Sequence, residues 1–236
     1  MKKPYLIVSS LKRAISRAAE KCVKDKSFSR KSPLTKEALI RLLIGAEGGS
    51  LDKILHTVGI NVTASAVSQR RAQVAPEVFR AVFDYFNADC LDDDFFRGYR
   101  LLAADGTTVN LPRNPKAPSF VQNAGIPKGV NQLHLTPLYD ILSRTFVDAI
   151  IQPEPKKDEI GALAEMLKRN TFSQKTIIIA DRAFEGYNLI AHCLEKPNVD
   201  FLIRVKSSRS GMREVAKLPM LELDCTISFT ITTTQT

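Results

Sequence analysis

The hydrophobic periodicity of this 236-residue chain changes at Tyr99, and that change limits what it can fold into more than any other feature. Before it, apolar residues recur at helical spacing; after it, short apolar runs are separated by Gly, Pro, Asn and Ser. Residues 34–46 carry Leu39, Leu42 and Leu43 on one helical face, with Ser32 as cap and Pro33 at the first position. Ser50 caps a second helix with Leu51, Ile54 and Leu55, and Gly59 ends it. Thr63 or Ser65 starts a third, which carries Gln69, Arg70 and Arg71, and Pro76 opens a fourth with Val78, Phe79, Val82, Phe83 and Phe86. Short helices broken by Gly, with exposed Ser, Gln and Arg on the third, form a helix-turn-helix-like pattern.

Beyond Tyr99, residues 100–104 (RLLAA) and 176–180 (TIIIA) are apolar runs with the character of buried central strands. Each is closed by an aspartate, Asp105 and Asp181. Residues 107–111 read as the hairpin partner of the first run and 112–129 as a long loop. Two further strands, 132–140 and 144–151, are joined by a tight turn, the first alternating through Leu133, Leu135 and, less cleanly, Leu138. An amphipathic helix at 158–170 precedes the run 176–180, and a helix at 187–195 precedes a strand at 199–205. The order, three antiparallel strands and then helix, strand, helix, strand, predicts an α/β fold with a ribonuclease-H-like mixed sheet. Its first and fourth strands lie side by side, so Asp105 and Asp181 would end neighbouring strands although 76 residues separate them. A sheet rim just past the C-terminal ends of strands is where ligands are met. Two carboxylates there can bind the same cations.

Charge divides the chain in the same place. Residues 1–72 hold 15 Lys and Arg against 5 Asp and Glu, whereas 73–236 hold 19 against 20, so the net charge of +9 lies in the first third. A basic module joined to a near-neutral body is what a nucleic-acid binder with a separate working domain shows. The expected domains are 1–92, basic, helical and DNA-binding; 98–206, an incomplete ribonuclease-H-like core; and 207–236, the start of a β-rich insertion. No apolar run approaches the roughly 20 residues of a membrane span, and no membrane partner is expected. Cys22, Cys90, Cys193 and Cys225 are scattered without C-x-x-C spacing, which argues against a zinc site or disulfide framework and for a reducing cytoplasm.

Several stretches resemble one family. Leu102-Ala103-Ala104-Asp105-Gly106-Thr107-Thr108 resembles the first catalytic motif of bacterial DDE transposases, and Ile178-Ile179-Ala180-Asp181-Arg182-Ala183-Phe184-Glu185-Gly186-Tyr187 the second. Asn131-Gln132-Leu133-His134-Leu135 and Leu138-Tyr139-Asp140 match between them. Ser65-Ala66-Val67-Ser68-Gln69-Arg70-Arg71 and Pro76-Glu77-Val78-Phe79 are similar to the family's DNA-binding region. The group resembled is the insertion-sequence-four type.

That resemblance implies DNA transposition: cutting and joining of double-stranded transposon-end and target DNA by in-line attack on phosphorus. Two Mg²⁺ ions, for which Mn²⁺ can substitute, would lie roughly 3.5–4 Å apart. Asp105 would bridge both and Asp181 hold one, as the catalytic and metal residues; Arg70, Arg71, Gln69 and Arg182 would contact DNA. A homo-oligomer on DNA and a nucleoid-associated location in a bacterial cytoplasm are implied as well. The chain departs from the family in having Ala183-Phe184 where Gly-Tyr is usual, and in lacking the downstream Tyr…Arg…Glu…Lys helix that carries the third acid. The sequence is therefore read as C-terminally truncated and inactive in transposition. Glu159, Glu165, Glu214, Glu222 and Asp224 are poor substitutes, the first two because their helix is expected to pack away from the catalytic edge. His134 is read as a strand-face residue, and Phe184 and Tyr187 as core. The alternative is a non-catalytic DNA-binding module or repressor derived from a transposase.

Overall fold

The computed structural model describes residues 4–21, 32–46, 49–90, 94–206, 211–219 and 221–232. The chain divides into two compact units, 1–91 and 92–236.

Unit 1 is helical. Helix α1 (Pro4–Lys21) packs against α5 (Glu77–Cys90) through Ala14, Ile15, Ala18, Val78 and Val82. The buried stripe of α1 is built largely of alanine rather than leucine, which makes its periodicity faint in the sequence. A second core joins α2 (Lys36–Ile44), α3 (Leu51–Val58) and α4 (Ala64–Arg71) through Leu39, Leu42, Leu55 and Val67. Ser50 and Thr63 cap α3 and α4 by accepting the amides of Lys53 and Ala66, and Gly59 ends α3 in the left-handed region. Helix α2 starts later than its sequence suggests. Thr35 is its cap, and Ser32 instead accepts the amide of Leu34.

Unit 2 is built on one mixed sheet. Its path runs from β2 (Thr107–Leu111) through β4 (Ile126–Asp140), β1 (Arg100–Ala104) and β6 (Thr176–Ala180) to β7 (Val199–Ile203). Strands β3 (Phe120–Asn123) and β5 (Thr145–Pro153) pair with the other edge of β4. β4 is antiparallel to β1 and to β5, whereas β6 runs parallel to β1 and β7 parallel to β6. This arrangement is consistent with the ribonuclease-H-like fold. Helices α6 (Glu159–Arg169) and α7 (Tyr187–Leu194) bury Leu163, Met166, Leu167, Leu189 and Cys193 against Leu102, Ala104, Leu138, Ile178 and Ala180. Strand burial alternates accordingly, since successive side chains leave a strand on opposite faces.

Four details differ from the sequence reading. Strand β2 is not the hairpin partner of β1. Both lie in tandem on one edge of β4, with β1 against 138–140 and β2 against 131–135. The region read as a long loop contains β3 and the first residues of β4, because β4 is 15 residues long and its opening half had no apolar alternation to mark it. The buried face of β4 also carries His134, Thr136, Leu138 and Asp140, not Leu133 and Leu135. That face is polar because each end of it meets an ionic partner: Arg100 Nε donates to Asp140 at 2.6 Å, and glutamates flank His134. Residues 221–232 alternate as a strand would but form none. Among the described residues no helix is long and apolar enough to cross a membrane.

Candidate metal and nucleic-acid site

The parallel register of β1 and β6 pairs Arg100 with Thr176 and runs unbroken to Ala104 opposite Ala180. The next residue of each strand is its aspartate, so Asp105 and Asp181 leave the sheet side by side at one rim. Neighbouring strands are about 4.8 Å apart, and both residues are exposed. Buried apolar residues explain the placement. Ile178 and Leu102 are fully buried, and fixing them fixes the register that carries the carboxylates.

Each carboxylate is oriented by its own turn. Asp105 Oδ1 accepts the Gly106 amide at 2.8 Å. Asp181 caps a short 3-10 turn, Arg182–Phe184, and its Oδ1 accepts the Ala183 amide at 2.8 Å. Turn former and helix cap are thus real roles of these side chains, and both leave Oδ2 without a hydrogen-bond partner among the described residues. Two exposed carboxylates with a free oxygen each are hard anionic donors, the set Mg²⁺ and Mn²⁺ select. Like charges so placed repel unless a cation lies between them. The donor set therefore fits the cation that the resemblance implies.

Arg182 is exposed beside the pair. Phe184 is fully buried, and Tyr187 donates its hydroxyl proton to Glu214, which raises the Tyr187 pKa and lowers that of Glu214. Gln69, Arg70 and Arg71 lie on α4 in the other unit, with Gln69 and Arg71 exposed, Arg70 half-buried and Val67 buried.

No group of three or more His, Cys, Asp or Glu placed to hold a metal occurs among the described residues. One polar cluster at this rim was nevertheless not foreseen. Glu159, at the first turn of α6, reaches Gly106: a Cβ on that glycine would lie 1.9 Å from Glu159 Oε1 and 2.6 Å from His134 Nε2. The N-terminus of α6 therefore does approach the edge, and Asp158 caps it by accepting the Gly161 amide. His134 is only 3% exposed, with Nε2 2.9 Å from Glu159 Oε1 and Nδ1 3.4 Å from Glu154 Oε2. Neither nitrogen makes an aligned hydrogen bond, so these are charge contacts when the ring is protonated. Hydrogen bonding from Lys157 holds the Glu154 carboxyl below its ordinary range, and Thr108 donates to the same group. A glycine directly after Asp105 was the available sequence signal, but its neighbour Glu159 lies 53 residues on.

The family model described as "Transposase DDE domain" matches residues 96–222, more than half of the chain and nearly all of the sheet-bearing unit. No curated protein matches the chain.

Proposed function

Starting from the chain's membership of the transposase DDE domain family, we propose that Asp105 and Asp181 jointly hold a divalent cation, Mg²⁺ or in its place Mn²⁺, against DNA phosphate. The observation that carries this is the β1–β6 register, which sets the two aspartates at adjacent strand ends. Bound there, a divalent cation supplies charge stabilisation at phosphorus and a more acidic water. The chain's own residues contribute the rest. The turns at Gly106 and Ala183 each tie up one carboxylate oxygen and so aim the other. Arg182 offers a cation for a phosphate oxygen at the same rim, and Gln69, Arg70 and Arg71 of α4 grip duplex DNA from the helical unit. The insertion-sequence-four type is the group whose motifs the chain fits.

Our reading of these 236 residues is metal and DNA binding without strand transfer. Its test is incubation with supercoiled plasmid and Mg²⁺, which should give retarded complexes and no transfer product. Robust metal-dependent cleavage abolished by Asp105→Ala would show that the pair suffices for chemistry and would overturn that part. A second reading, a DNA-binding module that occupies transposon ends without catalysis, is favoured by the compact basic helical unit with its capped α3 and α4. It predicts that duplex binding persists in the Asp105→Ala, Asp181→Ala double variant without added metal.

A further inference from the structure

Strand β2 and the segment after it stand beyond the rim that carries Asp105 and Asp181. β1 pairs with β4 up to Leu138, and β2 continues along the same edge from Leu135 to Asn131. Strand β6 ends at Ala180, level with Ala104, so nothing in the sheet path lies on the outer side of β2. All five of its residues are exposed. On the far edge of β4 the hairpin β3–β4 carries the projection on to Ile126. From Leu138 to Ile126 is twelve residues, at most about 40 Å of extended strand, comparable with one turn of duplex DNA.

The charge on this projection is one-sided. Residues 106–139 contain no Asp or Glu, and their only cations are Arg113, Lys116 and Lys128, all exposed. At its base Glu154 is paired with Lys157 at 2.8 Å. The segment is also built rather than loose. Asn131, only 1% exposed, accepts the Asn114 amide at 2.6 Å and donates to the Asn114 carbonyl and to Ser119. Arg113 Nε donates to the Lys128 carbonyl, and its guanidinium lies 5.7 Å from the Phe120 ring centre. Gly129, at φ +68°, admits the Phe120 ring where any Cβ would collide with it. Amide side chains also tie the tip together: Gln122 donates to the Pro127 carbonyl, Asn123 accepts the Gly125 and Ile126 amides, and Gln132 donates to Asn110.

We infer that this β2–β3–β4 projection is a second DNA-contacting surface, on which Lys116 and Lys128 meet backbone phosphates of duplex running off the Asp105–Asp181 rim. This rests on the reading of DNA as the partner. Cations without carboxylates bind a polyanion, and contacts to backbone phosphate carry no sequence information, so the lysine contacts are independent of sequence.

The test uses the full chain and an arbitrary 30-base-pair duplex, with binding followed by fluorescence anisotropy from 50 to 200 mM KCl. In the Lys116→Gln, Lys128→Gln variant the log–log salt slope should fall by about 1.8, so that parent and variant diverge by about 12-fold in salt sensitivity over that range. The Lys→Glu pair should weaken binding further, and thermal melting checks that both variants fold. A parent-like slope in both variants, with the parent binding DNA, overturns the projection and leaves DNA as the partner. No binding by the parent overturns both. A change in mass by light scattering without a change in slope makes the surface a contact between copies, which also overturns the inference.

Discussion

Replacing Gly106 by alanine tests the packing that supports Asp105 without touching either carboxylate. Gly106 does not have a positive φ, so the demand for glycine there is one of space and not of backbone conformation. The added Cβ would lie 1.9 Å from Glu159 Oε1, 2.6 Å from His134 Nε2 and 2.9 Å from His134 Cε1. Glu159 can swing away, since its side chain is 24% exposed, but the His134 ring is buried within the fold. Relief therefore needs both the loss of the 2.9 Å contact between them and movement of a core side chain. Overpacking of this kind costs about 1–3 kcal/mol, a sizeable part of the roughly 5–15 kcal/mol that holds a domain folded. Urea unfolding followed by far-ultraviolet circular dichroism measures it, a suitable probe because the chain has no tryptophan. Glu159→Ala removes one of the two collisions, so the double variant should lose less than the sum of the singles, by at least about 0.5 kcal/mol. Gly106→Ala within about 0.5 kcal/mol of the parent, the range of an unencumbered surface change, would refute the reasoning.

Burial alone would raise the pKa of Asp148, but hydrogen bonds from Arg169 and Asn170 and the Ala149 amide hold it below its ordinary 3.8. The stability it supplies is thus complete above the unfolded-state value and is lost as pH falls through the lower folded one. Asp148→Asn should cost about 1–3 kcal/mol at neutral pH and flatten the loss of stability below about pH 4, read from unfolding curves across pH. Burial pushes the Cys193 thiol up to about 12, whereas Cys225 is exposed. Mass spectrometry after brief iodoacetamide treatment should find Cys225 alkylated and Cys193 modified only as the fold opens. Arg70→Gln with Arg71→Gln should lower the salt slope of duplex binding by up to about 1.8; an unchanged slope would remove α4 from the interface.

The parts of the fold that were legible were those where burial dictates residue type. TIIIA and RLLAA are apolar because helices cover them, and the aspartates that end them follow from the register. The hairpin assignment failed because β2 is flanked by a turn like that of a hairpin, while its partner is decided by a strand 20 residues further on. The first half of β4 is polar, shaped by Gly129 and Asn131 rather than by alternation, so it read as loop. His134 was placed on a strand face, correctly as far as it went, but its glutamate neighbours come from two later elements. Leu133 and Leu135 lie on the opposite, half-buried face, since a buried face can be polar where its ionisable groups, here His134 and Asp140, meet charged partners.

The central claim is that Asp105 and Asp181 act as one cation site. Mn²⁺ binding to the full chain, measured by electron paramagnetic resonance with Mg²⁺ as competitor, tests it most directly. The account predicts one weak saturable site that either Asp105→Ala or Asp181→Ala abolishes, while each metal-free variant still unfolds cooperatively, lowered at most by the roughly 0.5–2 kcal/mol of its lost turn or cap hydrogen bond. Saturable binding of unchanged affinity in both variants, or none in the parent, would contradict it.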